Sequence, residues 1–385
     1  MDDDDLRRAL AAHFERDIGS PPPGARERVL GGLHESAERS RRHLAAWTAA
    51  IAAVLIGVLA VAALLATRGV RQAQPAGPPQ APAARSGAAI AYDPARGVAV
   101  MFGGTRDGTT ALGDTWTWDG ARWTRLHPAV SPSLEAFGPV AAPGGGTKPQ
   151  SFPGLLMAYD AGSRSLVLYG IPGSTWTWDG RNWRGHPTSP PQKGTNGDAA
   201  MAYDPASRGI LLFVAPAGRG GQTWRWDGQT WTQLHPRTTP DVVSGAMASD
   251  GRRLLLFGST AGLIRGQNLT QTWAWDGADW SLLAPPIRLP PSTYAIAYDQ
   301  KHGRLIVVTK LGASVSETWF WDGASWGRLH PRHEPTAGAG AVAWYDARTK
   351  LVALYGGLRT GTREAPSELW TWDGNDWTLM EGTTR

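Results

Sequence analysis

The stretch WTWDGARW, residues 116–123, returns five more times along the chain, as WTWDGRNW (176–183), WRWDGQTW (224–231), WAWDGADW (273–280), WFWDGASW (319–326) and WTWDGNDW (370–377). Eighteen of the twenty tryptophans fall inside these six copies. A period of roughly 40 to 50 residues marks a repeat architecture in which each unit is one supersecondary element. The repeats therefore fix the fold class before any other feature is weighed.

Around each motif the sequence reads as four short strands. In the first copy AAIAYD (88–93) runs into a P-A-R-G turn, VAVMFGG (98–104) follows, a polar loop leads to DTWTW (114–118), and Asp-Gly turns the chain into WTRLH (123–127). Asp and Gly suit tight hairpins, because Gly adopts positive φ freely and Asp bonds its own backbone. A four-stranded sheet of this length cannot bury both faces alone, but six arranged radially cover one another. The expectation is an all-β, six-bladed propeller of antiparallel blades over residues 87–385. In W-x-W the two rings share a face by the period of two, and the third Trp lies across the hairpin. Each ring buries about 150 to 250 Å², an upper bound of about 4 to 6 kcal/mol gross. The rings are expected to be the mortar between blades, the third lying nearer a blade edge.

The order apolar strand, Gly-Gly, W-x-W-D and Trp, with RSGAA (85–89) opening the first copy, resembles kelch repeats, in the bacterial kelch-like form related to the central domain of galactose oxidase. The resemblance spans about residues 85–379. At the end of the second strand a full diglycine stands only at Gly103-Gly104 and Gly356-Gly357. The resemblance implies a propeller and a scaffold for binding. The copper cofactor of galactose oxidase needs a Tyr crosslinked to Cys, and this chain has no cysteine, so no cofactor is expected. Without Cys, thiolate catalysis and Cys-based zinc sites are excluded as well.

Residues 1–86 differ in kind. Leu44 to Ala66 is an uncharged apolar run of the length that spans a ~30 Å hydrocarbon core, and is expected to be a transmembrane helix. Arg39, Arg41 and Arg42 before it, against Arg68 and Arg71 after it, favour a cytoplasmic N-terminus and an extracytoplasmic propeller in a single-pass protein of the cytoplasmic membrane. Residues 1–43 read as a charged helical segment, and 67–86 as a Pro/Ala-rich linker. The repeat region carries 27 Lys and Arg against 24 Asp and Glu, a net of +3 with no basic run. That balance argues against nucleic acid as a partner.

The recurring polar residues are symmetry mates. Asp119, Asp179, Asp227, Asp276, Asp322 and Asp373 precede the turn Gly, and turn formation is the simplest role. His127, His186, His235 and His330 recur before Pro at the end of the fourth strand, spread around a ring, so a shared metal ion is not expected. No catalytic motif is evident.

In an antiparallel meander, the turns after strands one and three share one face, and those after strands two and four share the other. The first face is uniform. The length variation falls on the second, in 105–113, 128–154, 187–198, 259–271 and 358–367. Function is usually carried by variable loops on a rigid scaffold, which makes that face the expected binding surface. Five strand-two to strand-three connections carry a cation: Arg106, Arg219, Arg265, Lys310 and Arg359. Pointed at the axis they form a cationic mouth for an anionic glycan, a cell-wall polymer or an acidic protein. Two other readings stand beside this binding module. One is a carbohydrate-active enzyme using loop carboxylates among Asp107, Glu135, Glu364 and Glu368. The other is a transmembrane sensor of anti-sigma-like layout signalling through residues 1–43.

Overall fold

The computed structural model describes residues 81–106, 110–134, 140–141, 147–148, 154–171, 174–187, 199–215, 220–260, 269–287, 295–311, 315–336, 338, 340–357 and 368–380. The expected segment 1–43, transmembrane span 44–66 and most of the linker lie outside the described residues. Among the described residues no helix is long and apolar enough to cross a membrane.

Six four-stranded antiparallel sheets follow one another along the chain, each a simple meander. In blade 1 the strands are Ala89–Asp93, Val98–Phe102, Thr115–Trp118 and Trp123–Leu126, within a residue or two of the expected boundaries. The first strands of the other blades are Leu156–Asp160, Ala199–Asp204, Val242–Ser249, Ala295–Asp299 and Val342–Asp346. Each first strand touches that of the next blade, and the sixth touches the first, so they form the inner ring. A two-stranded ladder, Val140–Ala141 with Thr147–Lys148, lies in the long connection after blade 1.

The hydrophobic core is six cores, one per seam. Leu166 and Leu168 of blade 2 pack with Val100 and Phe102 of blade 1, while Val167 faces the other way, onto Ile210 and Leu212 of blade 3. Second strands are thus buried on both faces, which is why they read as continuous apolar runs rather than alternating ones. The second and third Trp of each motif face each other across the Asp-Gly hairpin at 5.2 to 5.5 Å between ring centroids. All three rings of a motif lean on the preceding blade, as the period of two requires.

Burial does not follow the expected order. The second ring is deeply buried in every blade, at 5 % exposure or less. The third is 1–2 % exposed in blades 2, 4 and 6 but half-buried as Trp123, Trp231 and Trp326. The cause is a strap. The connectors leaving blades 1, 3 and 5 read H-P-x-x-x-P (127–132, 235–240, 330–335), with the second proline buried each time. Backbone N–H groups of Ala129, Thr238 and His333 donate to the side chains of Asn182, Asp279 and Asp376, each the neighbour of the third Trp in the following blade. Among the described residues, such straps cross the seams between blades 1 and 2, 3 and 4, and 5 and 6.

Blade 6 meets blade 1 without strand exchange. The segment Pro82–Gly87 closes the ring, ahead of the repeat boundary at residue 87. Gly87 N–H donates to Gly340 O, Gly357 N–H to Arg85 O, and the Tyr355 hydroxyl to Pro82 O at 3.1 Å. Arg85, with its side chain wholly buried, grips Asp114 of blade 1 with two nitrogens, at 2.6 and 3.0 Å. Trp344, outside the motif, stands where blades 1, 2, 3 and 5 have Ala, and fills this seam beside Trp123.

Candidate functional site

The two faces of the ring are chemically unlike. On the Asp-Gly face the recurring groups serve turns and seams. Each of the six motif aspartates accepts two backbone N–H groups from its own turn, as Asp227 does from Gln229 and Thr230. These backbone donors hold the carboxyls of Asp227, Asp276, Asp322 and Asp373 below the usual carboxylate range. A second ring of aspartates ends the first strands: Asp93, Asp160, Asp204, Asp299 and Asp346 are buried and accept N–H groups of the strand-one to strand-two turn. From those turns Arg96, Arg253 and Arg304 reach the next blade, donating to carbonyls of Asp179, Gly323 and Gly374. This face is committed to holding the ring together.

The indole N–H groups of the first and third rings are largely committed too, whereas those of Trp226, Trp275, Trp321 and Trp372, the second rings of blades 3 to 6, are buried without a partner. The Nε1 of the first Trp donates to the side chain two residues earlier, at 2.6 to 3.1 Å: Asp114, Ser174, Gln222, Gln271, Glu317 and Glu368 in turn. The Nε1 of the third Trp donates across the seam to the hydroxyl of Thr115, Thr175, Thr223, Thr272 or Thr318. Both acceptors are legible as a side-chain acceptor and a Thr before W-x-W. Their regularity, noticed, would have given the seam bonds from sequence.

At the axis a cavity of about 280 Å³ is lined by the opening residues of the first strands, including Gly87, Ala88, Leu155, Ala199, Gly245 and Ala341. First strands begin on the variable-loop side, so the cavity belongs to that face. Its lining has no charged or hydrogen-bonding side chain; it offers backbone edges and small apolar groups. Such a lining suits a neutral moiety.

Of the expected cationic mouth, Arg106 is exposed at the start of its loop, beside the Ser86–Thr105 bridge that anchors the ring closure. Lys310 is not in a loop. It lies in the second strand of blade 5, Arg304–Leu311, with Ser316 as its register partner. Thr309-Lys310 replaces the diglycine of blades 1 and 6, so nothing interrupts the ladder and the hairpin runs further. Arg219, Arg265 and Arg359 lie outside the described residues. So do Asp107, Glu135 and Glu364; Glu368, the fourth candidate carboxylate, accepts from Trp370 Nε1 and the Thr336 hydroxyl.

The histidines before proline sit on outer strands and do not converge. His127, His235 and His330 are exposed, whereas His186 bonds the Thr177 hydroxyl and packs edge-on against Trp226, burial lowering its pKa. Among the described residues no group of three or more His, Cys, Asp or Glu could hold a metal ion.

No family model matches the sequence, and no curated protein does. Solved propellers are similar in fold. A mutant of the Aleuria aurantia lectin in complex with Fucα1-6GlcNAc is 14% identical, covering 79% of this chain and 99% of that one with a TM-score of 0.50. The SapL1 lectin in complex with alpha methyl fucoside is 13% identical, covering 78% and 96% at 0.49, and YjhT is 15% identical, covering 79% and 99% at 0.49. At such identities the likeness speaks for the fold alone.

Proposed function

We propose that this chain is a binding module that recognises a glycan, a cell-wall polymer or a protein through the variable-loop face of its propeller. One observation carries this reading: the recurring polar groups of the Asp-Gly face are committed to turns and seams, whereas the opposite face has the unequal loops and the axial cavity. A ligand with a neutral group for the cavity and anionic groups for Arg106, Arg219, Arg265, Lys310 and Arg359 fits that division.

A glycan is the first class to screen, since a mutant of the Aleuria aurantia lectin, similar in fold, is in complex with Fucα1-6GlcNAc. The kelch-like assignment rests on the sequence motif and adds that kelch propellers commonly bind on this face. The apolar run 44–66 supports a single-pass anchor with the N-terminus inside and the propeller outside the cytoplasmic membrane. For the enzyme reading, Glu368 is already held by Trp370 and Thr336, leaving three loop carboxylates to supply the chemistry.

The test is a screen of the detergent-solubilised full chain against immobilised fucosylated glycans, acidic polysaccharides and wall polymers. Retention of one class is expected. Retention of none, with hydrolysis of a glycan instead, would favour the enzyme.

A further inference from the structure

The three straps share a plan but not their chemistry. At the positions before the second proline they read Ala129-Val130-Ser131, Arg237-Thr238-Thr239 and Arg332-His333-Glu334. Titratable groups stand only in the third, between blades 5 and 6, and both are tied to the seam they cross. His333 grips Asp376 twice, its backbone N–H on one carboxylate oxygen at 3.0 Å and its Nδ1 on the other at 2.8 Å. Glu334 accepts from the Thr318 hydroxyl at 3.3 Å, and that hydroxyl itself accepts from Trp377 Nε1 at 2.9 Å. Thr336 bonds Glu368, and Gly340 reaches the axis, where it lines the cavity and accepts the ring-closing N–H of Gly87.

We infer that the 330–336 strap is a pH-sensitive latch across the blade 5–6 seam.

The charges around Glu334 set the direction. Glu317 and Arg328 face it from blade 5, where they pair with each other at 3.1 Å, and Asp376 faces it from blade 6. Burial, reinforced by the charges of Glu317 and Asp376, pushes Glu334 up to about 7 against the pull of Thr318 and Arg328. A carboxyl raised on folding stabilises the folded strap most when protonated, and that contribution is lost as pH rises from its unfolded value through about 7. Asp376 has the opposite sign. The His333 N–H first, and its ring as well, holds that carboxyl low, so its contribution is present at neutral pH and is lost only in strong acid. The strap is therefore tightest in mildly acidic solution and loosens toward alkaline pH.

Trypsin provides the test, because Arg332 and Arg237 are exposed arginines at the same position of two straps. Cleavage of the full chain after Arg332, divided by cleavage after Arg237, cancels the protease's own pH dependence. From pH 5.5 to 8.5 this ratio should rise roughly three- to tenfold, a range discounted for the partial exposure of Glu334. In Glu334→Gln, which cannot ionise, the rise should largely vanish. A flat ratio in the wild type, or an unchanged rise in Glu334→Gln, overturns the latch. Neither result bears on whether the loop face binds a glycan.

Discussion

Trp183 of blade 2 donates its indole N–H to the hydroxyl of Thr115 in blade 1 at 3.0 Å, and both side chains are almost wholly buried. The same bond recurs at four more seams and is missing where blade 6 meets blade 1, because Leu369 occupies the threonine position. Thr115→Val should leave a buried donor without a partner at nearly constant volume, a cost of about 1 to 3 kcal/mol. Thr175→Val should cost less, since its partner Trp231 is half-buried and water can substitute. Denaturant midpoints of the two variants give the comparison; equal losses would contradict it.

The seam lacking this bond depends on Arg85. Arg85→Met should destabilise the propeller by about 3 to 5 kcal/mol, because Asp114 keeps its charge in a half-buried site without its cationic partner. Adding Asp114→Asn should recover part of the loss. Equilibrium unfolding of the three proteins decides, and a neutral Arg85→Met would show that the closing segment is merely packed against the ring.

Three exposed cations, Arg164, Arg208 and Lys350, have φ of 54°, 52° and 59°, at turn positions where blades 1 and 5 have Gly97 and Gly303. A side chain there is strained by about 1 kcal/mol, so replacing each with Gly should raise stability by up to that amount. Thermal unfolding of the triple variant should show a higher midpoint. A lower one would mean that these side chains make contacts outweighing the strain.

The sequence displays the blade count because turn chemistry and the period of two are local: Asp119-Gly120 and the W-x-W alternation carry their structure wherever they stand. The seams were harder to read. That Trp123 stays half-buried while Trp183 does not depends on a strap from the preceding blade, a relation between residues some fifty positions apart. Ring closure was hidden for a similar reason, since Arg85 meets Asp114 and Gly357 only once the circle exists. Lys310 misled because a missing diglycine lengthens a hairpin and moves a loop residue into a strand. The proposed binding face draws on loops outside the repeats, whose sequences do not resemble one another.

The central claim is that the loop face binds and the Asp-Gly face does not. Its most direct test compares retention of the full chain on immobilised acidic glycans and wall polymers for three proteins. These are the wild type, a variant with Arg106, Arg219, Arg265, Lys310 and Arg359 replaced by Ser, and one with the opposite-face cations Arg122, Arg181 and Arg252 replaced by Ser. The account predicts that the wild type and the second variant are retained alike while the five-fold variant washes through at physiological salt. Undiminished retention of the five-fold variant, with loss in the other, would contradict it.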